Sequence, residues 1–119
     1  MANVMIVDDA PFMRKLIENA LAPKGHKVVA LAEDGVMAVQ GYKDSDPDVV
    51  TMDITMKRKN GLEALKEILA FDPKARIVMV SALGQEKLLT EAIKAGARGY
   101  IIKPFKPEVL QKAVRDALR

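Results

Sequence analysis

Five short apolar runs recur along the chain, at Val4–Val7, Val28–Leu31, Val49–Met52, Ile77–Val80 and Tyr100–Ile102. They carry no charged residue, and several are rich in β-branched side chains. Runs of this kind predict strands of a parallel sheet buried on both faces, where neither side needs a polar partner for water.

Between the runs the apolar period lengthens to that of a helix. Phe12, Leu16, Ile17, Ala20 and Leu21 share one face of a first helix, with Pro11 near its start and Gly25 past its end. Asp34-Gly35 opens a second helix carrying Val36, Val39 and Tyr42. Asn60, with Glu63 three residues on, predicts a capping box for a third, whose stripe is Leu62, Leu65, Ile68 and Leu69, with Pro73 beyond its end. The fourth carries Leu88, Leu89, Ala92 and Ile93 and stops at Gly96. The fifth begins near Pro107 and buries Val109, Leu110, Ala113, Val114, Ala117 and Leu118.

Strict alternation of five strands and five helices predicts an α/β fold, a doubly wound parallel sheet with right-handed crossovers. Periodicity does not give the strand order. In such sheets the site lies beyond the carboxyl ends of the strands.

Composition narrows the class. The chain has 119 residues, and residues 1–119 read as a single domain with no repeat, no internal linker and no output domain following. Half the residues are hydrophobic and 29% are charged, the balance of a folded domain. There is no cysteine, which excludes a disulfide framework, a thiolate nucleophile and a cysteine zinc site. That fits a cytoplasmic location. No apolar run approaches the ~20 residues of a spanning helix, so membrane insertion is not expected. The net charge of +3 weakly favours acidic partners. Aromatics are only 4% and the cations are spread along the chain, so no nucleic-acid partner is implied.

The residues that come after the strands carry the chemistry. The first strand runs into Asp8-Asp9, the third into Asp53, the fourth into Ser81 and the fifth into Lys103-Pro104. Crowded carboxylates raise at least one pKa unless a cation neutralises them. Mg²⁺ suits such a cluster, because it takes hard oxygen ligands and keeps room for water and phosphate. One carboxylate can then act as a nucleophile toward phosphorus, with a lysine and a hydroxyl beside the transferred group. The set matches phosphoryl acceptance onto an aspartate.

Val7-Asp8-Asp9, Met52-Asp53, Val80-Ser81-Ala82 and Lys103-Pro104-Phe105, in this order and over essentially the whole chain, resemble the receiver domains of two-component response regulators. The resemblance implies a flavodoxin-like fold with strand order 2-1-3-4-5. It implies that Asp53 is the phosphoacceptor and that Asp9 binds Mg²⁺ directly, with Asp8 helping and the Thr55 backbone carbonyl a further ligand. Ser81 and Lys103 would contact the phosphoryl group, and Lys103–Pro104 would be a cis peptide. Tyr100 has two readings, the aromatic switch residue that turns inward with Ser81 or a packing residue of its strand. His26 is given no role.

Further segments, Phe12-Met13-Arg14, Asp53-Ile54-Thr55-Met56, Ala82–Glu86 and Gly99–Phe105, are similar to chemotaxis regulators of thermophilic, archaeal and Gram-positive types. The implied protein is a signalling phosphoacceptor rather than an enzyme, catalysing only its own phosphorylation and dephosphorylation. Its implied partners are a chemotaxis-type histidine kinase, a motor switch or adaptor protein, and a phosphatase. Three rivals stand beside this reading: a stand-alone phosphorelay intermediate, the receiver piece of a DNA-binding regulator, and a Mg²⁺-dependent aspartyl phosphatase. The last fits poorly, because it needs Asp-x-Asp where this chain has Asp8-Asp9-Ala10. The chain also departs from the receiver pattern after the acceptor. Lys57 stands where receivers usually carry proline, in Lys57-Arg58-Lys59, which predicts a less restrained, solvated loop.

Overall fold

A computed structural model describes residues 1–119. Its strands are β1 (Asn3–Val7), β2 (Lys27–Ala32), β3 (Val49–Asp53), β4 (Ile77–Ser81) and β5 (Gly99–Ile102). Its helices are α1 (Pro11–Leu21), α2 (Gly35–Ser45), α3 (Gly61–Phe71), α4 (Glu86–Ala95) and α5 (Pro107–Ala117). The strands are all parallel and stand in the order β2-β1-β3-β4-β5. Strand–helix alternation and the implied order both hold.

Side chains alternate across the sheet and build two cores. Met5, Val7, Val50, Met52, Ile77 and Met79 point to the face covered by α2, α3 and α4. Val4, Ile6, Val49, Val78, Val80 and Ile101 point to the face covered by α1 and α5. Every residue of β3 and β4 is buried, as runs of this kind require. The edge strands differ. Leu31 on β2 and Tyr100 on β5 are about half exposed, because each edge strand has a neighbour on one side only.

The helix stripes are narrower than their apolar patterns. Phe12, Leu16, Val36, Ile93 and Val109 are exposed, while Ile17, Ala38, Tyr42, Ala92 and Leu110 carry the packing on those helices. Apolar type alone does not tell the centre of a stripe from its flank. Gly25, at φ +81°, closes a short 3-10 turn over Ala22–Lys24 that intervenes after α1.

Side-chain caps start α2 and α3. Asp34 accepts from Met37 N at 2.9 Å at the start of α2. Asn60 Oδ1 accepts from Glu63 N at 2.9 Å, and Glu63 Oε1 accepts from Asn60 N at 3.1 Å, the expected capping box of α3. The next residue, Gly61, is pressed against the end of β3. A Cβ there would lie 2.0 Å from the Asp53 carbonyl oxygen, so only glycine fits.

Candidate functional site

The strand order puts β1, β3, β4 and β5 side by side, and their carboxyl ends deliver Asp8-Asp9, Asp53, Ser81 and Lys103 to one edge. Carboxylate oxygens of Asp8, Asp9 and Asp53 all lie within 4.8 Å of one another. Asp8 and Asp53 are buried and Asp9 is exposed. Lys103 Nζ lies 3.1 Å from Asp8 Oδ2 and 3.4 Å from Asp53 Oδ1. Its backbone N–H donates to Ser81 O at 2.7 Å, which ties the end of β5 to that of β4. The Lys103–Pro104 peptide is cis, as the resemblance implies. Asp8 is held on two further sides. Its Oδ1 accepts from Ala10 N at 2.9 Å, and its backbone carbonyl accepts from Arg14 Nη1 at 2.7 Å.

One ammonium does not neutralise three carboxylates. Burial, reinforced by the charge of Asp8, pushes the Asp53 carboxyl up to about 6 despite the pull of Lys103. Burial alone would lower Lys103; the negative charges of Asp53 and Asp8 and its hydrogen bonds to them outweigh it and raise the ammonium. Ser81, at the end of β4, has a buried Oγ with no hydrogen-bond partner. A buried hydroxyl left so costs about 1–3 kcal/mol. The donor set, three clustered carboxylates with an excess of negative charge and an unpartnered hydroxyl, fits a hard divalent cation together with an incoming oxyanion.

Other expected residues fall around this edge. Thr55 is exposed on the loop after β3, and its hydroxyl oxygen accepts from Gln85 Nε2. Tyr100 is 53% exposed on β5, not turned inward. His26 stands outside the cluster and has an unpartnered, buried Nδ1. The largest cavity, about 610 Å³, shares no residue with the acidic cluster and lies between Met1, His26 and α5.

The cationic loop is solvated as expected, with Lys57 and Arg58 exposed, and it carries two ion pairs that the sequence does not show. Arg58 takes a left-handed backbone, φ +62°, and Arg58 Nε donates to Asp34 Oδ2 at 2.9 Å, with Nη2 bonded to the same oxygen. Lys59 pairs with Glu67 on α3. The loop thus makes one ion pair to the N-cap of α2 and one to α3. Asp34 is held below the usual carboxylate range, first by the Met37 N–H and then by Arg58. Lys57 and Arg58 line, with Asp9, Glu33 and Asp34, a wholly polar cavity of about 420 Å³. The sequence assigns no site role to Gln85 or Asp34. Asp34 shows there only in the Asp34-Gly35 pair that opens the second helix, and Gln85 only within the Ala82–Glu86 segment of the resemblance.

Comparison with known proteins agrees with the geometry. The family described as "Response regulator receiver domain" matches residues 4–115. The chain is 49% identical to the chemotaxis protein CheY of Bacillus subtilis, over 97% of this chain and 96% of that protein. It is 48% identical to CheY of Thermotoga maritima, over 93% of this chain and 92% of that one. Among solved structures, a CheX–CheY–BeF3–Mg²⁺ complex from Borrelia burgdorferi superposes with a TM-score of 0.93 at 36% identity, covering 98% of this chain and 89% of the matched one.

Proposed function

The chain belongs to the response regulator receiver domain family, and on that premise we propose that it takes a phosphoryl group from a histidine kinase onto Asp53 and signals by a change in partner binding. The observation that carries the reading is the cluster of Asp8, Asp9 and Asp53 with Lys103 at the sheet edge where β4 also ends in the unpartnered Ser81 hydroxyl.

An Asp53 carboxylate oxygen attacks phosphorus, and the kinase imidazole leaves with the electron pair of the broken P–N bond. An acyl phosphate results. Asp53 must be ionised to attack; burial and the charge of Asp8 oppose that ionisation, and a cation held beside it would favour it. Lys103, already near Asp53 Oδ1, balances the charge that the phosphoryl oxygens bring. Ser81 Oγ–H donates to one of those oxygens. Asp8, Asp9, Asp53 and the Thr55 backbone carbonyl would hold Mg²⁺, which supplies charge neutralisation for the transferred group.

Phosphorylation adds roughly −1.5 to −2 charges. Ser81 drawn toward that charge would shift the start of the β4–α4 loop, and Tyr100 on the neighbouring strand would move from its exposed position to an inward one. A partner that prefers one of the two populations reads the signal. Because its relatives are chemotaxis proteins, the partner assigned is a motor switch or adaptor, with a chemotaxis-type kinase as donor, a phosphatase as counterpart and the cytoplasm as the shared compartment. Phosphotransfer tests this. A chemotaxis-type kinase autophosphorylated with labelled ATP should pass its label to this chain with Mg²⁺, and not with EDTA or to Asp53→Asn. Label that stays on the kinase contradicts the assignment.

A further inference from the structure

The two loops flanking Asp53 leave the sheet separately, one after β3 carrying Thr55 and one after β4 carrying Ala82. At the level of the sheet they are still paired, with Ile54 N donating to Val80 O at 3.1 Å. Beyond that point a single side chain joins them. Gln85 Oε1 accepts from Ala82 N at 2.7 Å, and Gln85 Nε2 donates to the Thr55 hydroxyl oxygen. Gln85 stands at the N-cap of α4, yet its side chain caps no amide of that helix. Its Oε1 is committed within its own loop and its Nε2 to the other loop.

Ala82 is the residue after Ser81, whose buried Oγ has no partner. A planar peptide unit links the two, so displacing Ser81 toward a group on Asp53 displaces Ala82 N as well. The Gln85 amide has one reach, and it spans Ala82 N and Thr55 Oγ1 at the present loop spacing. Hydrogen bonds weaken steeply once distance and angle are lost.

We infer that Gln85 is a positioning residue, a clamp that holds the Thr55 and Ala82 loops at their unmodified spacing and lets go when Ser81 is drawn to the phosphoryl group. The inference rests on the phosphoacceptor reading of Asp53. An interaction made in one of two states biases their equilibrium by its own strength. Two side-chain hydrogen bonds of ordinary net strength, partly open to water, correspond to a bias of roughly threefold to tenfold.

The test is calorimetric titration of the full chain with fluoroberyllate, a phosphoryl mimic, at saturating Mg²⁺, together with amide exchange at Ala82 without ligand. Gln85→Ala should bind the mimic roughly threefold to tenfold tighter than the parent. Thr55→Val should shift affinity the same way but less, since the Ala82 end of the clamp survives. The double variant should bind no tighter than Gln85→Ala alone. Ala82 N–H should exchange faster in Gln85→Ala. A side chain that merely supported the loops would give weaker binding when removed. Equal or weaker binding by Gln85→Ala, additive effects of the two substitutions, or unchanged Ala82 exchange overturns the clamp. A parent chain that does not bind the mimic at all overturns the phosphoacceptor reading and the clamp's coupling with it. A parent that binds while Gln85→Ala is unchanged overturns the clamp alone.

Discussion

The proposed function asks Asp53 to be two things, a buried member of a folded core edge and a charged nucleophile. The conflict is visible in its carboxyl, pushed up to about 6 by burial and by Asp8. A folded-state value above the unfolded ~3.9 means the native state binds more protons between those two values. The stabilising contribution is therefore fully present below pH ~3.9 and lost as pH rises through about 6. Removing the charge should reverse the loss. Asp53→Asn is expected to be more stable than the parent at pH 7.5 by about 1–2 kcal/mol, discounted for the partial solvent access of the site. That advantage should vanish near pH 4 and shrink when Mg²⁺ is added at pH 7.5. Thermal melts at the two pH values, with and without metal, check it. Ser81 gives a second prediction at this scale. Its hydroxyl is buried without a partner, so Ser81→Ala should leave the unmodified fold as stable as the parent or up to about 1 kcal/mol more so. The same change should weaken fluoroberyllate binding several-fold. Loss of stability without loss of binding would show that the hydroxyl serves packing and not an oxyanion.

At the scale of elements, the loop between β3 and α3 concentrates the constraints. Gly61 must approach the Asp53 carbonyl, and the Asn60–Glu63 capping box starts α3 beside it. Asn60→Ala should cost about 1 kcal/mol of stability, as loss of such a cap does, while leaving the acidic cluster in place. Gly61→Ala should cost more than that and also weaken Mg²⁺ binding, because the backbone that must yield is that of Asp53 and Ile54. Denaturant melts and metal titration on both variants separate the two effects. The same loop shows where the sequence was legible and where it was not. Asn60 and Glu63 are three apart, and their reciprocal bonds come from local chain geometry alone. Arg58 and Asp34 are far apart in the chain, and their pairing depends on α2 and α3 being neighbours, which no local pattern states. Lys57 in place of proline therefore read as slack, whereas the loop is tied by Arg58 to Asp34 and by Lys59 to Glu67. Gln85 was silent for the same reason, since its partners lie on two loops. Phe12 and Val109 misled in the opposite sense, because their apolar character said nothing of which flank of the helix they occupy.

For the molecule as a whole, alternation of buried strands and amphipathic helices determines the sheet, and the sheet determines which polar ends meet. Asp8, Asp9, Asp53, Ser81 and Lys103 come from four strands and converge only because β1, β3, β4 and β5 are consecutive in the sheet. Their convergence was readable once strand ends were aligned, since parallel strands put all their carboxyl ends on one side. The electrostatic state of that edge was not readable, because it depends on burial of Asp8 and Asp53 and on the two contacts of Lys103. The most direct test of phosphoryl acceptance at Asp53 is incubation with acetyl phosphate and Mg²⁺, followed by intact mass and peptide mapping. A single metal-dependent phosphoryl adduct on the peptide carrying Asp53, absent from Asp53→Asn and from the EDTA control, is the predicted result. No adduct, or an adduct that persists in Asp53→Asn or without metal, would contradict it.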